Sequence, residues 1–265
     1  MRNLLFQRRF PARASAARIA SFLCGLALAC CLPILCSSCS KSGARRCFNA
    51  GAKKSASGDY SGAIADYDKA IQINPSYAKA YNNRGIAKDA LRDETGAIAD
   101  YTKAIELNPQ YQFAYYNRGN SEQAIKEYTK ALSDYDRAIA LNPQDAAVYL
   151  NRGNTKYLQS EYGAAIEDYS KAIALNPAYD KAYNSRGVAR GHTGDFAGGV
   201  ADCSKAIELN PQYAEAYNNR GNAKRALNDF DGAIADYDKA IELNPRYVNA
   251  YTNRTAVEVL KKGMK

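Results

Sequence analysis

From residue 44 onward, apolar positions recur with the spacing of a helix rather than the alternation of a strand. Near the carboxyl end, Ala233, Ile234, Tyr237, Ala240 and Ile241 fall at i, i+1, i+4, i+7 and i+8, which is one stripe of an α-helix. The stripe is predicted to stop near Leu243, because Pro245 supplies no backbone N–H and disfavours helical geometry in the residue before it. Upstream, Ala216 and Tyr217 through Leu227 are good helix formers with apolar or aromatic residues on one side. Asn228-Asp229 between the two segments is turn chemistry, and Asp229 is placed to cap the second helix.

This helix–turn–helix pattern repeats. Asn-Pro recurs at Asn74, Asn108, Asn142, Asn176, Asn210 and Asn244, always 34 residues apart. Tyr81, Tyr115, Tyr149, Tyr183, Tyr217 and Tyr251 keep the same interval, as do Gly85, Gly119, Gly153, Gly187 and Gly221, and Ala70 through Ala240. One such hairpin has too little apolar surface to fold alone, so neighbouring units must stack to bury it.

The unit resembles a tetratricopeptide repeat (TPR). The large residue of the first helix, helix A, is matched by Tyr81 and its equivalents, and the close-contact glycine by Gly85 and its equivalents. The small residue early in helix B is matched by Ala63, Ala97, Ala131, Ala165, Gly199 and Ala233, and the following aromatic by Tyr67, Tyr101, Tyr135, Tyr169 and Tyr237, with Cys203 the exception. The resemblance implies an all-α fold, a right-handed superhelical solenoid of six repeats. These span 44–77, 78–111, 112–145, 146–179, 180–213 and 214–247, followed by a capping helix in 248–265 whose Glu258, Lys261 and Lys262 would solvate the last apolar face.

Departures from the family pattern make the seam between helices A and B more polar. Arginines 84, 118, 152, 186, 220 and 254 stand where leucine is usual, and Lys88, Lys156, Lys224 and Arg190 stand where tyrosine is usual. The first unit has Cys47 for Tyr and Ala50 for Arg, and the third lacks a glycine-type turn at Lys126-Glu127. Helix B carries Asp66, Asp100, Asp134, Asp168, Asp202 and Asp236. Pairing each with the arginine of the following unit leaves none over, so a ladder of ion pairs between units is expected. Pairing within a unit would strand Asp66 and Arg254.

A second column, Asn83, Asn117, Asn151, Asn219 and Asn253, extends back to Asn49 and is interrupted at Ser185. In the family this position faces the concave groove, and the column is similar to the amide ladder by which the superhelix of O-linked N-acetylglucosamine transferase holds extended peptides. An amide both donates and accepts, so it can satisfy a peptide backbone without reading side chains. The alternative is an asparagine merely tolerated on a polar helix face. Phe113, Tyr116, Leu150 and Tyr157 add an apolar patch in mid-groove, either a subsite for a hydrophobic side chain or part of the packing. A clamp for carboxylate-ended tails needs lysine where this chain has Phe48, Asn82, Tyr116, Leu150, Asn184 and Asn218, so that specificity is not expected.

Composition changes this picture at the amino end. The net charge of +9 divides into eight basic and no acidic residues over 1–47, 24 against 26 over 48–247, and four against one over 248–265. A near-neutral body lacks the broad positive face of a nucleic-acid-binding domain. Arg2, Arg8, Arg9, Arg13 and Arg18 precede an apolar run from Ile19 to Cys36, followed by Ser37, Ser38 and Cys39. That order reads as an export signal over residues 1–43 or, given its length, an uncleaved single-span membrane anchor. Ser37-Ser38-Cys39 is similar to a bacterial lipoprotein cleavage site, which makes Cys39 the candidate for lipidation, with Leu28-Ala29-Cys30 second. The expected location is therefore membrane-associated or exported, the bacterial periplasm or outer membrane included. Cys47 and Cys203, the remaining cysteines, fall at core positions of the repeat.

Catalytic chemistry is not expected. The carboxylates paired at Asp66/Asp68, Asp134/Asp136 and Asp236/Asp238 recur with the repeat, which marks them as decoration, and His192, the sole histidine, reads as an exposed turn residue. No phosphate-binding loop, dinucleotide fingerprint or nucleophile elbow occurs, and no metal or cofactor is implied. The expected function is a non-enzymatic scaffold that takes a protein or peptide partner in the concave face. A self-associating module and a chaperone-like holdase are the alternatives.

Overall fold

The computed structural model describes residues 41–263, and every regular element among them is an α-helix. Contacts divide the chain into two compact units, Met1–Tyr77 and Ala78–Lys265. The described part of the first is one hairpin: α1, helical over 41–56, and α2 (Tyr60–Ile73). The Phe48 ring lies 5.7 Å from that of Tyr67 and 5.1 Å from that of Tyr77. The expected signal or anchor segment, Cys39 included, lies almost wholly outside the described residues. None of the described helices is long and apolar enough to cross a membrane.

The second unit contains five hairpins and a last helix. They are α3 (Ala78–Ala90) with α4 (Glu94–Leu107), α5 (Gln112–Ala124) with α6 (Tyr128–Leu141), α7 (Ala146–Leu158) with α8 (Tyr162–Leu175), α9 (Asp180–His192) with α10 (Phe196–Leu209), α11 (Ala214–Ala226) with α12 (Phe230–Leu243), and α13 (Val248–Gly263). From α3 to α13, each odd-numbered helix also touches the next odd-numbered helix, whereas among the described residues of this unit no two of the even-numbered helices α4 to α12 touch. A stack held this way bends toward the row in contact, so the odd helices form its inner wall.

Local chemistry sets the helix ends. Each even helix from α2 to α12 closes on an asparagine whose backbone N–H still reaches an alanine carbonyl of the last turn, as Asn244 reaches Ala240. The same asparagine then accepts the N–H two residues on, as Asn244 Oδ1 does from Arg246 at 3.1 Å. At the start, Asp59, Asp93, Asp195 and Asp229 accept from the N–H of a glycine three residues later, at 2.9–3.0 Å. A Cβ on Gly96 would stand 2.1 Å from Asp93 Oδ2, which explains why aspartate and glycine occur together. Where Glu127 and Glu161 replace the aspartate, no side-chain cap bond forms.

The close-contact glycines seat aromatic rings of the partner helix. A Cβ at Gly85, Gly119, Gly153 or Gly221 would fall 2.6–2.9 Å from the ring of Tyr101, Tyr135, Tyr169 or Tyr237, respectively. These rings are buried with Ala97, Ala131, Ala165 and Ala233, so each hairpin core is built from small residues around one tyrosine.

The seam corrects the expected ion ladder. Each arginine pairs with the aspartate of its own unit: Arg84 with Asp100, Arg118 with Asp134, Arg152 with Asp168, Arg186 with Asp202 and Arg220 with Asp236, through Nε and Nη2 at 2.5–2.9 Å. Neither end is stranded, because Asp66 takes Lys54 at 2.7 Å and Arg254 takes Asp238 at 2.5 Å and Glu258 at 3.0 Å. Links between units come from the third guanidinium nitrogen. Nη1 reaches Thr102 from Arg118, Asp136 from Arg152, Ser170 from Arg186 and Ser204 from Arg220. The second member of the carboxylate pair is thus a bridge between hairpins rather than decoration. Bonding to Asp134, Asp202 and Asp236 raises the pKa of Arg118, Arg186 and Arg220, so the guanidinium charge is held firmly.

The last helix is only half a cap. Ala250 and Val257 are buried, Val257 against Ala233 and Tyr237. On its other side Val248, Tyr251, Val259 and Leu260 are exposed, so an apolar strip remains where a solvating face was expected.

Candidate partner-binding groove

The inner wall carries the candidate site. Asn83, Asn117, Asn151, Asn219 and Asn253 lie along it half-buried, but their amides are already engaged. Asn117, Asn219 and Asn253 donate from Nδ2 to Oδ1 of Asn82, Asn184 and Asn218 in the preceding unit, at 3.0–3.1 Å. Asn151 donates to Tyr116 Oη at 2.8 Å and to Asn120 Oδ1 at 2.9 Å, and Asn83 accepts from Asn82 at 3.2 Å. The column therefore ties consecutive hairpins together, and much of the hydrogen-bonding capacity expected to face a peptide is spent on that. The positions at which a carboxylate clamp would carry lysine include the buried amides Asn82, Asn184 and Asn218, which serve as acceptors here.

The apolar patch divides similarly. Leu150 is buried in a cluster with Ala165 and Tyr169, so it packs the core. Tyr116 is half-buried against Tyr135, and Phe113 is exposed with its edge on Tyr111. Of the four, Tyr157 lines an inner-wall cavity.

Two cavities open on the inner wall between α7 and α13. One, of about 480 Å³, is lined by Val188, His192, Phe196, Ala223 and Ala226, with Asn219, Asn222, Asn253 and Arg225 also around it. The other, of about 260 Å³, is lined by Asn154, Tyr157, Leu158, Asn184, Ser185 and Val188. Val188 belongs to both. Asn219, Asn253 and Tyr157 of the predicted site are gathered here, whereas Asn83, Asn117, Asn151, Phe113, Tyr116 and Leu150 are not.

The sequence explains why the wall opens at this place. In three hairpins the buried tyrosine donates its hydroxyl to an asparagine on helix A: Tyr135 to Asn120, Tyr169 to Asn154 and Tyr237 to Asn222, at 2.8–3.0 Å. In the α9–α10 hairpin both partners change together, to Cys203 and Val188. A phenol and an amide give way to a thiol and an isopropyl group, which removes side-chain volume and leaves the wall apolar. Burial pushes the Cys203 thiol up to about 12, so it behaves as a small hydrophobe. Cys47, expected in the core, is half-buried.

His192 is more than a turn residue. Though exposed, it closes α9, stacks on Tyr162 with ring centroids 4.5 Å apart, and its Nε2 lies 2.8 Å from Tyr157 Oη. It thereby forms a fixed aromatic corner between the two cavities. Val188 and His192 were not identified from sequence, although the α9–α10 unit is the one in which both the helix B tyrosine and the helix A asparagine are replaced, a change visible in the 34-residue period. Apolar floor, amide edges and a rigid aromatic corner form a surface for contact, suited to an extended chain with apolar side chains.

Comparisons with known proteins agree with this architecture. The family model described as tetratricopeptide repeat matches residues 78–111, 113–145 and 214–247, and a second, described as TPR repeat, matches 55–88 and 153–194. Among solved structures, MamA is similar at 31% identity and TM-score 0.58, over 62% of this chain and 96% of that one. PilF of Pseudomonas aeruginosa superposes with TM-score 0.72 at 17% identity, over 82% of this chain and 99% of that one. YrrB, described as a TPR protein with an unusual peptide-binding site, superposes with TM-score 0.59 at 23% identity, over 71% of this chain and 97% of its own. The last two likenesses bear on the fold alone. No curated protein sequence matches significantly.

Proposed function

The chain belongs to the tetratricopeptide repeat family, whose members are generally protein-interaction scaffolds, and from that premise we propose that it holds a protein or peptide partner on the inner wall between α7 and α13. The observation that carries this reading is the pair of adjoining cavities that share Val188 and are edged by Asn219, Asn253 and Tyr157. The partner segment lies extended along the odd helices, with an apolar side chain in the larger cavity. Free amide oxygens, such as those of Asn117 and Asn253 outside the bonds between hairpins, are available to its backbone. The protein acts by presenting this surface, with no catalytic step.

The test is a peptide array probed with the full chain and with a Val188→Glu variant. Peptides with large apolar residues are expected to bind the wild type and to lose at least about tenfold in affinity with the variant, since one buried charge outweighs one apolar contact. Equal binding by both proteins rejects the groove.

The amino-terminal segment supports placement of the scaffold at a membrane or outside the cytoplasm. The mass of the mature amino terminus decides the mode: a diacylglyceryl Cys39, a free residue after cleavage, or an intact Met1. Self-association is a second reading, favoured by the exposed strip of Tyr251, Val259 and Leu260 on α13. Sedimentation of the wild type against Leu260→Glu separates it, because dimers lost in the variant support self-association and a monomer throughout excludes it.

A further inference from the structure

A second candidate site lies at the seam of the α5–α6 hairpin, away from the groove. In the five other units, helix A carries a cation three residues after the close-contact glycine, and that cation joins the seam aspartate. Lys54 stands 2.7 Å from Asp66, Lys88 2.8 Å from Asp100, Lys156 2.9 Å from Asp168 and Lys224 2.8 Å from Asp236. In the α9–α10 hairpin, Arg190 does the same with Asp202 at 2.9 Å. Lys54, Lys88 and Lys224 also point Nζ at a helix B carbonyl, that of Gly62, Gly96 and Gly232, at 3.3–3.5 Å. The ammonium of Lys54, Lys88 or Lys224 thus has a built socket of one carboxylate and one carbonyl. It also touches water, since the lysine side chains of these seams are 20–42% exposed.

The α5–α6 hairpin keeps the seam aspartate of that socket and lacks the cation. Its seam aspartate, Asp134, is present and bonded to Arg118, but Glu122 stands where the other units have lysine or arginine. The Glu122 side chain is only 8% exposed. Its Oε2 is buried without a hydrogen-bond partner among the described residues, and its Oε1 is 4.0 Å from Arg118 Nε, beyond hydrogen-bonding distance. Beside it is a cavity of about 390 Å³ lined by Arg118, Glu122, Thr129, Lys130, Ser133 and Asp134. The one nearby ammonium, that of Lys130, is on the surface and paired with Glu127 at 3.4 Å. One cation fewer and one carboxylate more than in the sibling seams, a buried orphan oxygen and room for several heavy atoms occur together at one place.

We propose that this cavity is a cation-binding site that takes a primary alkylammonium group, held between Glu122, Asp134 and the helix B backbone where the sibling units place their own lysine. An ammonium has three N–H donors for that set of acceptors, and its charge compensates two neighbouring carboxylates. The group comes either from a lysine side chain of a bound protein or from a free polyamine. Both share this chemistry.

The test follows the carboxyl carbon signal of Glu122 by NMR in the full chain labelled at glutamate carboxyls, the signal being assigned by its loss in Glu122→Gln. Three probes are added at constant ionic strength: a blocked lysine peptide, cadaverine, and tetramethylammonium, which has charge but no N–H donor. The proposal expects a saturable shift with one or both primary amines and none with tetramethylammonium. A response to the peptide alone assigns a partner's lysine, a response to cadaverine alone assigns a polyamine, and a response to both assigns the ammonium group as what is read.

Glu122→Lys should fold at least as well as the wild type, because it restores the arrangement of the sibling units. It should show no saturable response to either amine, followed through the Asp134 carboxyl in chain labelled at aspartate. The proposal is overturned if no amine shifts Glu122, if tetramethylammonium acts equally, or if Glu122→Lys responds as the wild type does.

Discussion

Arg152 and Asp168 form a two-pronged ion pair within one hairpin, Nε to Oδ2 at 2.9 Å and Nη2 to Oδ1 at 2.6 Å, while the remaining nitrogen of Arg152 crosses to Asp136 of the preceding hairpin. The two contacts differ in worth because their surroundings differ. The side chain of Asp168 is 5% exposed and that of Asp136 is 64% exposed. Arg152→Met leaves a buried carboxylate short of its main partner and should cost about 3 kcal/mol, and Asp136→Ala should cost no more than about 1 kcal/mol. Urea midpoints of the two variants check the difference, and equal losses would mean that the link between hairpins matters as much as the pair within one.

Gly153 and Gly163 offer a paired test of the packing account. A Cβ at Gly153 would meet the buried Tyr169 ring at 2.7 Å, whereas at Gly163 nothing lies within 4 Å. Gly153→Ala should destabilise by about 2 kcal/mol through overpacking. Gly163→Ala should stabilise by up to about 1 kcal/mol through helix propensity. Thermal melts of the two proteins should therefore shift in opposite directions.

The turn between helices A and B requires a left-handed residue in every unit. Gly58 and Gly194 meet it freely, with φ of 82° and 85°, but Arg92, Lys126, Ser160 and Asn228 hold φ of 63–66°. Lys126→Gly should therefore raise stability by about 0.5–1 kcal/mol, the relief of strain exceeding the entropy that glycine loses on folding. A lower urea midpoint for this variant would contradict that balance.

Glu122 gives the stability a pH dependence of known sign. Burial first and the Asp134 charge second push its carboxyl up to about 7 from an ordinary 4.5. Arg118 on α5 and Lys130 on α6 oppose the rise, and Glu127 in the turn adds to it. Between those two values the folded chain keeps a proton that the unfolded chain has lost. This contribution is therefore greatest below the lower value, declines as pH rises through the interval, and levels off above about 7. The decline should amount to about 2–3 kcal/mol and be absent in Glu122→Gln. Urea denaturation of both proteins at about pH 5 and about pH 8 measures it.

Much of the fold was legible because the same physics is repeated in each unit. The 34-residue period, the stop before Asn-Pro, the cap at Asp229 and the close-contact glycines each follow from local rules, and the structure has them. The pairing of the seam arginines was not legible. Asp66 to Arg84 and Arg84 to Asp100 are similar separations, and counting partners misled because Lys54, Asp238 and Glu258 satisfy the ends. The asparagine column was recognisable as a column, but its engagement with the preceding unit depends on how consecutive odd helices are rotated, which no single unit encodes. The cavities at Val188 and the orphan carboxylate at Glu122 were both breaks in the period. Neither follows from a local rule, because a cavity and an unpartnered carboxylate depend on the side chains that neighbouring helices place around the substituted position.

Photo-crosslinking most directly tests the claim that the inner wall is the contact surface. A benzophenone amino acid is placed at position 188 on the inner wall or at position 239 on α12, where Lys239 is partly exposed and paired with Glu242, and the full chain is irradiated in cells that make it. The account predicts that position 188 captures a discrete partner, identified by mass spectrometry, whose purified form binds the wild type and loses affinity for Val188→Glu, while position 239 captures none. Capture of the partner from position 239, with position 188 silent, would contradict it.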